Sequence, residues 1–183
     1  MSAAKPDWVF AYGSLMWNPG FATPETQAAR LHGWHRAFCI YSEHYRGTPR
    51  KPGLILGLLP GGACRGLAHR LPRHGYDAAR RYLWQREIDN DGVYKEEIRP
   101  IHLQDGRTVE ALVYLADRGH RQFAGKLPTA KAAALVRRGR GVAGTNLAYL
   151  RNTLAHLGDL GLGDRALEEL ARRAGASGRE TRS

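Results

Sequence analysis

The first two thirds of the chain carry short apolar runs rich in aromatic and β-branched residues, whereas the last third repeats its apolar positions at helical spacing. Strands are expected at Trp8–Ala11, Trp34–Tyr41, Leu54–Leu59, Arg65–Arg70, Glu97–His102 and Thr108–Leu115. Turn-forming residues separate them: GTPRKPG at 47–53, PGGA at 60–63, and QDGR at 104–107, whose Asp105-Gly106 pair is a strong hairpin signal. Helices are expected at Tyr76–Arg86, Thr129–Arg138, Thr145–Leu157 and Asp164–Ala174. Strands first and helices later predict an α+β class with a mostly antiparallel sheet or barrel. A length of 183 residues fits one domain, taken as residues 6–174, followed by a basic tail at 175–183 that is expected to fray.

One run breaks its own pattern. In WVFAYGSLMW (8–17), a buried strand opens at Tyr12-Gly13-Ser14 and then returns to apolar residues. Glycine there allows backbone angles, or a close approach to the main chain, that a Cβ obstructs. A plain turn is more polar than this. The pattern predicts a loop held by hydrophobic residues on both sides, with its amides turned toward a ligand.

Composition narrows the classes. No apolar run is long enough to span a bilayer, and MSAAKPD lacks the apolar core of a secretory signal. Two cysteines, Cys39 and Cys64, outside any C-x-x-C arrangement, fit buried thiols in a reducing cytoplasm. The formal net charge of +11 is arginine-dominated but spread over several segments. Nucleic-acid binders concentrate such charge on one face among exposed aromatics, so solvated helix faces are the better reading and no nucleic-acid partner is expected. A basic surface also helps to attract a small anionic substrate.

Several motifs fail on context. GRGVAG (139–144) matches a dinucleotide fingerprint, yet an Ala-rich helix precedes it where a strand is needed, so a helix–helix loop is expected. DNDG (89–92) lacks the later ligands of a calcium loop. His32 and His35 form the closest histidine pair without a nearby carboxylate or cysteine, so satisfied strand-end histidines are expected and no metal. Ser14 has no G-x-S-x-G elbow around it. What remains is Glu87 in YLWQREIDNDGVY. It ends an amphipathic helix at the unfavourable end of the dipole, and it follows Tyr82-Leu83-Trp84, a cluster able to desolvate it and raise its pKa. Glu87 is a candidate general base.

These residues resemble the ChaC family of glutathione-specific γ-glutamylcyclotransferases. WVFAYGSLMWNPGF is similar to the family's Y-G-S-L segment, and YRGTPRKPG (45–53) to its R-G-x-P-x-K-P-G loop. YLWQRE with Tyr94 resembles the L-x-x-R-E…Y segment that carries the catalytic glutamate, and GVAGTNLAYL (141–150) the late G-x-x-G-x-N-x-x-Y-L element. Four motifs in family order form a specific signal; any one alone is weak. Departures are small: Ala11 stands where some members have glycine, and Ala143 where serine is common.

The resemblance implies a γ-glutamylcyclotransferase-like fold, a small mixed β-barrel with packed helices. It implies cyclisation of the γ-glutamyl group of glutathione to 5-oxoproline with release of Cys-Gly, without a cofactor. Glu87 is then the base and acid, and Tyr12, Gly13, Ser14 and Leu15 hold the γ-glutamyl group. Two supporting residues stay open: Arg46 meets a substrate carboxylate or pins its own loop, the latter favoured, and Tyr149 is a pocket wall or a core aromatic. Competing readings are a sister cyclotransferase acting on other γ-glutamyl amines or amino acids, and a non-catalytic regulator of cation transport. An intact Glu87 argues against the latter, since binding alone needs no base. The sequence gives no oligomeric state.

Overall fold

The computed structural model describes residues 5–89 and 92–175. The elements run β1 (Trp8–Ala11), a 3-10 turn (Ser14–Met16), β2 (Thr26–Ser42), β3 (Gly53–Arg70), α1 (Tyr76–Trp84), a π-helical turn (Gln85–Asp89), β4 (Tyr94–Leu103) and β5 (Thr108–Ala116). Then follow α2 (Thr129–Arg138), the two-residue strands β6 (Arg140–Gly141) and β7 (Gly144–Thr145), α3 (Asn146–Asp159) and α4 (Arg165–Ala174). Five strands close a barrel in the order β1-β3-β2-β4-β5. β1 runs antiparallel to β3, from Trp8↔Arg70 to Ala11↔Leu67, and parallel to β5 through Trp8↔Ala111 and Val9↔Leu112. The barrel is therefore mixed, as expected. With a neighbour on each side, β1 is buried at all four positions, which is why WVFA shows no alternation.

By packing, the described residues fall into two units, 5–36 with 57–89 and 92–121, and 37–56 with 122–175. The first contains β1, β4, β5, α1 and the matching parts of β2 and β3. Phe10, Leu31, Leu58, Leu83, Ile101 and Leu112 fill its core. Its β4–β5 hairpin pairs from Tyr94↔Ala116 to His102↔Thr108 and turns at Gly106, whose φ of 91° is left-handed, as the Asp-Gly signal predicts.

Two strands differ from expectation. β2 begins at Thr26 rather than Trp34, because TQAARLH alternates weakly and its exposed arginine and histidine mask the strand period. PGGA does not reverse the chain: Gly61 and Gly62, at φ 102° and 69°, lie inside β3 and bend a single long strand.

The second unit packs α2, α3 and α4 around Leu135, Val136, Leu150, Leu157 and Leu170. Leu167, Leu170, Ala171 and Ala174 form the buried stripe of α4, which Asp164 caps by accepting from Leu167 N at 3.1 Å. Gly175, at φ 76°, ends it. Residues 176–183, most of the expected tail, lie outside the described residues, as do Asn90 and Asp91 of DNDG. Cys39 and Cys64 are buried free thiols, as expected.

GRGVAG is not a plain loop. It forms the β6–β7 hairpin and docks on the RGTPRKPG segment: Val142 N donates to His44 O and Ala143 N to Tyr45 O, both at 3.0 Å. A Cβ at Gly141 would lie 2.2 Å from His44 O, and one at Gly139 2.7 Å from Arg46 O, so both glycines give room to backbone. Asn146, fully buried, then clasps Leu54 at both ends of its peptide groups, accepting from Leu54 N at 2.6 Å and donating to Leu54 O at 2.7 Å. Asn146→Ala strands a buried N–H and a buried C=O at once. It is expected to cost about 2–4 kcal/mol, read as a lower urea midpoint at unchanged m-value.

Candidate active site

The first unit brings together Tyr12, Gly13, Ser14, Leu15 and Glu87, through Arg86. β1 delivers the chain to Tyr12, and the 3-10 turn begins at Ser14. Gly13 has φ −135° and ψ −135°, so it is not left-handed, but its ψ leaves the usual extended range. Every carbonyl of the tetrapeptide has a donor. Arg36 Nε donates to Tyr12 O at 2.6 Å, Met16 N to Gly13 O and Asn18 N to Ser14 O at 2.9 Å, and His69 Nε2 to Leu15 O at 2.9 Å. The Tyr12 hydroxyl donates to Tyr114 O at 2.7 Å. A turn this short gives the amides of Ser14 and Leu15 no intrahelical acceptor, since its bonding starts with Met16 N. Acceptors are committed to the protein and donors are left over, a local excess of positive dipole suited to an anion.

Two of the anchors were not legible as such. Arg36 is only 5% exposed, and its Nη2 also donates to Arg65 O at 2.7 Å. Its signal is phase: it stands in β2 two residues before Phe38 and four before Ile40, on their inward side. His69 is buried in β3. Because Nε2 donates to a carbonyl, its Nδ1 accepts from the Thr26 hydroxyl, at 2.9 Å. Burial pushes its imidazole pKa down, the Leu15 bond opposing, so it serves as a neutral strut.

Glu87 lies on the π-helical turn that widens the end of α1, so the helix proper stops at Trp84, short of the expected Arg86. Such turns recur at functional sites. Its side chain is 16% exposed, and Arg86 Nε stands 3.2 Å from Oε1. Burial raises the Glu87 pKa, and the Arg86 charge only partly opposes it. Within the cluster expected to desolvate it, Leu83 is fully buried and Tyr82 half-buried, but Trp84 is 46% exposed. Arg86 was missed as a site residue. Its Nη2 donates to Ser14 Oγ at 2.6 Å, and Nη1 to Asn18 O at 2.6 Å and to the Tyr82 hydroxyl at 3.0 Å. One guanidinium thus joins the glutamate to the turn.

The neighbouring carboxylates are spoken for. Arg80 grips Glu96 with two bonds of 2.7 Å, and the Tyr114 hydroxyl adds a third at 2.9 Å. Burial alone would raise the Glu96 pKa; these bonds outweigh it and hold the carboxyl below its usual range. Glu97 pairs with Arg99. Among the described residues, no three His, Cys, Asp or Glu gather as a metal ion demands. His32 and His35 lie inside β2, not at its end, and turn to different partners, the His102 ring and Gly61 O.

Arg46 and Tyr149 belong to the second unit. Arg46 Nη1 donates to Ala143 O at 2.5 Å, and its guanidinium lies 5.0 Å from the centroid of the Tyr149 ring. These contacts tie its loop to the β6–β7 hairpin and α3. Tyr149, half-buried on α3, meets Phe38 edge-to-face at 5.6 Å.

The chain is similar to known proteins in sequence and in fold. The family model described as ChaC-like protein matches residues 7–176. A glutathione-specific gamma-glutamylcyclotransferase of Escherichia coli (strain K12) is 38% identical over 172 residues, covering 92% of this chain and 74% of the relative. One from Schizosaccharomyces pombe is 30% identical over 78% of each chain. In fold, a yeast gamma-glutamyl cyclotransferase specific to glutathione superposes with a TM-score of 0.83 at 20% identity, over 96% of this chain and 98% of its own. On the family match along nearly its whole length, and with relatives this similar over most of theirs, the chain belongs to the ChaC-like protein family.

Proposed function

We propose that this chain is a glutathione-specific γ-glutamylcyclotransferase, converting glutathione to 5-oxoproline and Cys-Gly with Glu87 as general base and then acid. The observation that carries the mechanism is the desolvated carboxylate of Glu87, tied through Arg86 to a turn whose carbonyls are all occupied. The names of the relatives support the choice of substrate.

The α-amine of the γ-glutamyl group attacks its own γ-carbonyl carbon, forming the ring C–N bond. Collapse of the tetrahedral intermediate breaks the bond to the cysteine nitrogen. Glu87 takes a proton from the amine and returns one to the departing nitrogen, so no water or external reactant enters the balance. A raised pKa suits both halves, because the carboxylate must accept a proton readily and then release it. The amides of the Tyr12–Leu15 turn receive the developing oxyanion or the substrate α-carboxylate. Because the nucleophile is tethered to the electrophile, the share of rate from positioning falls below the ~7–11 kcal/mol available to well-oriented pairs. Arg86 is a positioning residue: it orients Glu87 and keeps the carboxylate from becoming neutral too readily. Arg46 and Tyr149 hold the second unit's loop. No helix among the described residues is long and apolar enough to cross a membrane. Two buried free thiols support a reducing cytoplasmic setting.

Incubation with reduced glutathione should yield 5-oxoproline and Cys-Gly by mass spectrometry. Glu87→Gln should lower kcat by about 10²–10⁴-fold with the circular-dichroism spectrum unchanged. Turnover only of a γ-glutamyl amino acid or amine would move the chain to the sister activity, and turnover of neither would remove the catalytic reading.

The pH dependence follows from the sign of the shift. The folded Glu87 pKa lies above the ordinary 4.5, so kcat/KM should fall with acid at a higher pH than a free carboxylate would dictate. Arg86→Gln removes the opposing charge and should move that limb higher still, which a purely structural arginine would not do. For stability, a raised carboxyl pKa gives a contribution fully present below the unfolded value and lost as pH rises through the folded one. Glu87→Gln should therefore raise the melting temperature at neutral pH, with the gain vanishing in acid.

A further inference from the structure

Away from Glu87 and the Tyr12 turn, the first unit carries a hollow of about 400 Å³ on the strands of its barrel. Arg30 and His32 on β2, Arg65 on β3 and His102 on β4 line it. The register explains how they meet. Arg30 is directly opposite His102, and alternation keeps Arg30 and His32 on one face of β2. All four side chains are exposed, and the His32 and His102 rings approach edge-to-face with centroids 5.0 Å apart. Ala29 and Leu103, a buried cross-strand pair, contribute the apolar part of the lining, and no lining residue is acidic.

Charge balance bears on this place. Several other arginines of the unit face carboxylates: Arg80 with Glu96, Arg99 with Glu97, and Arg107 with Glu25 and Asp105. Arg30 and Arg65 have no carboxylate partner among the described residues. Of the acids near these strands, Glu25 and Asp105 are engaged by Arg107, with Arg70 also on Glu25, and Glu110, on β5 two positions from Thr108, is not among the lining residues. Two unpaired guanidinia beside two imidazoles repel one another, a cost in stability that a bound anion would reverse. The planar fork of arginine matches phosphate oxygens, imidazole N–H groups add donors, and the hollow suits a small molecule.

We propose that this face of the barrel is a second binding site, for a small phosphorylated ligand with two or more negative charges. The site is independent of the cyclotransferase reading. Inorganic pyrophosphate and ADP are the probes, added to the full chain in calorimetric titration and thermal unfolding at low salt, with sulfate as the comparison anion. Saturable one-to-one binding of pyrophosphate or ADP, with a raised melting temperature, is expected. Arg30→Ser and Arg65→Ser should each weaken it about tenfold or more. Because both arginines are exposed and crowd like charge, each variant without ligand should melt no lower than the parent chain. Equal affinity for the two probes assigns recognition to the phosphates alone, and tighter ADP adds the apolar lining; either supports the site. The proposal is overturned if neither probe saturates or the double variant binds undiminished. It also fails if sulfate binds as well as pyrophosphate, or if only long nucleic acids bind.

Discussion

The chemistry of the first unit turns on the Arg86 guanidinium. It bonds a loop carbonyl, a phenol and the Ser14 hydroxyl, and it lies against the carboxylate of Glu87. A lysine has one charged nitrogen and could not reach these acceptors in fixed directions; the planar five-donor fork can. Position matters as much as number. Burial drives Glu87 toward its neutral form, and one nearby charge keeps it in reach of ionisation. Glu96, in the same unit, shows the contrast: a bidentate arginine and a tyrosine hydroxyl lock it as an anion. Two glutamates nine positions apart in sequence thus receive opposite protonation tendencies, burial prevailing at Glu87 and the hydrogen-bonding partners at Glu96.

In the second unit, two family motifs are one physical object. The hydrogen bonds from Val142 and Ala143, the Asn146 amide on Leu54 and the glycines without room for a Cβ make the RGTPRKPG and GVAGTN segments complementary. Glycines that resemble a phosphate cradle in the sequence serve here to admit the backbone of residues 44–46.

The sequence carried the fold to a useful depth, and its failures have causes. The WVFA run, the Asp105-Gly106 hairpin and the four helices were legible because each rests on a local period or a local turn preference. The start of β2 was not, since its outward residues are polar or charged and only Ala29 and Leu31 mark its inward side. The bend at Gly61-Gly62 resembles a reversal, because two left-handed glycines serve both purposes and only pairing with distant strands decides between them. For the site, Glu87 and the Tyr12 turn emerged from composition and resemblance. Arg36, His69 and Arg86 did not, because each acts through a hydrogen bond to a residue far along the chain: Tyr12 lies 24 positions from Arg36, Leu15 54 from His69, and Ser14 72 from Arg86. No window of sequence contains both ends of such a bond.

The clasp between Asn146 and Leu54 spans 92 positions, and this has a bearing on how the protein is made. During synthesis, residues 37–56 leave the ribosome long before 139–146 exist, so their backbone groups must stay with water until the later segment emerges. Native pairing of this kind is non-local and slow to form. The early segment is therefore the stretch of the nascent chain that most depends on its neighbours not being captured by something else first.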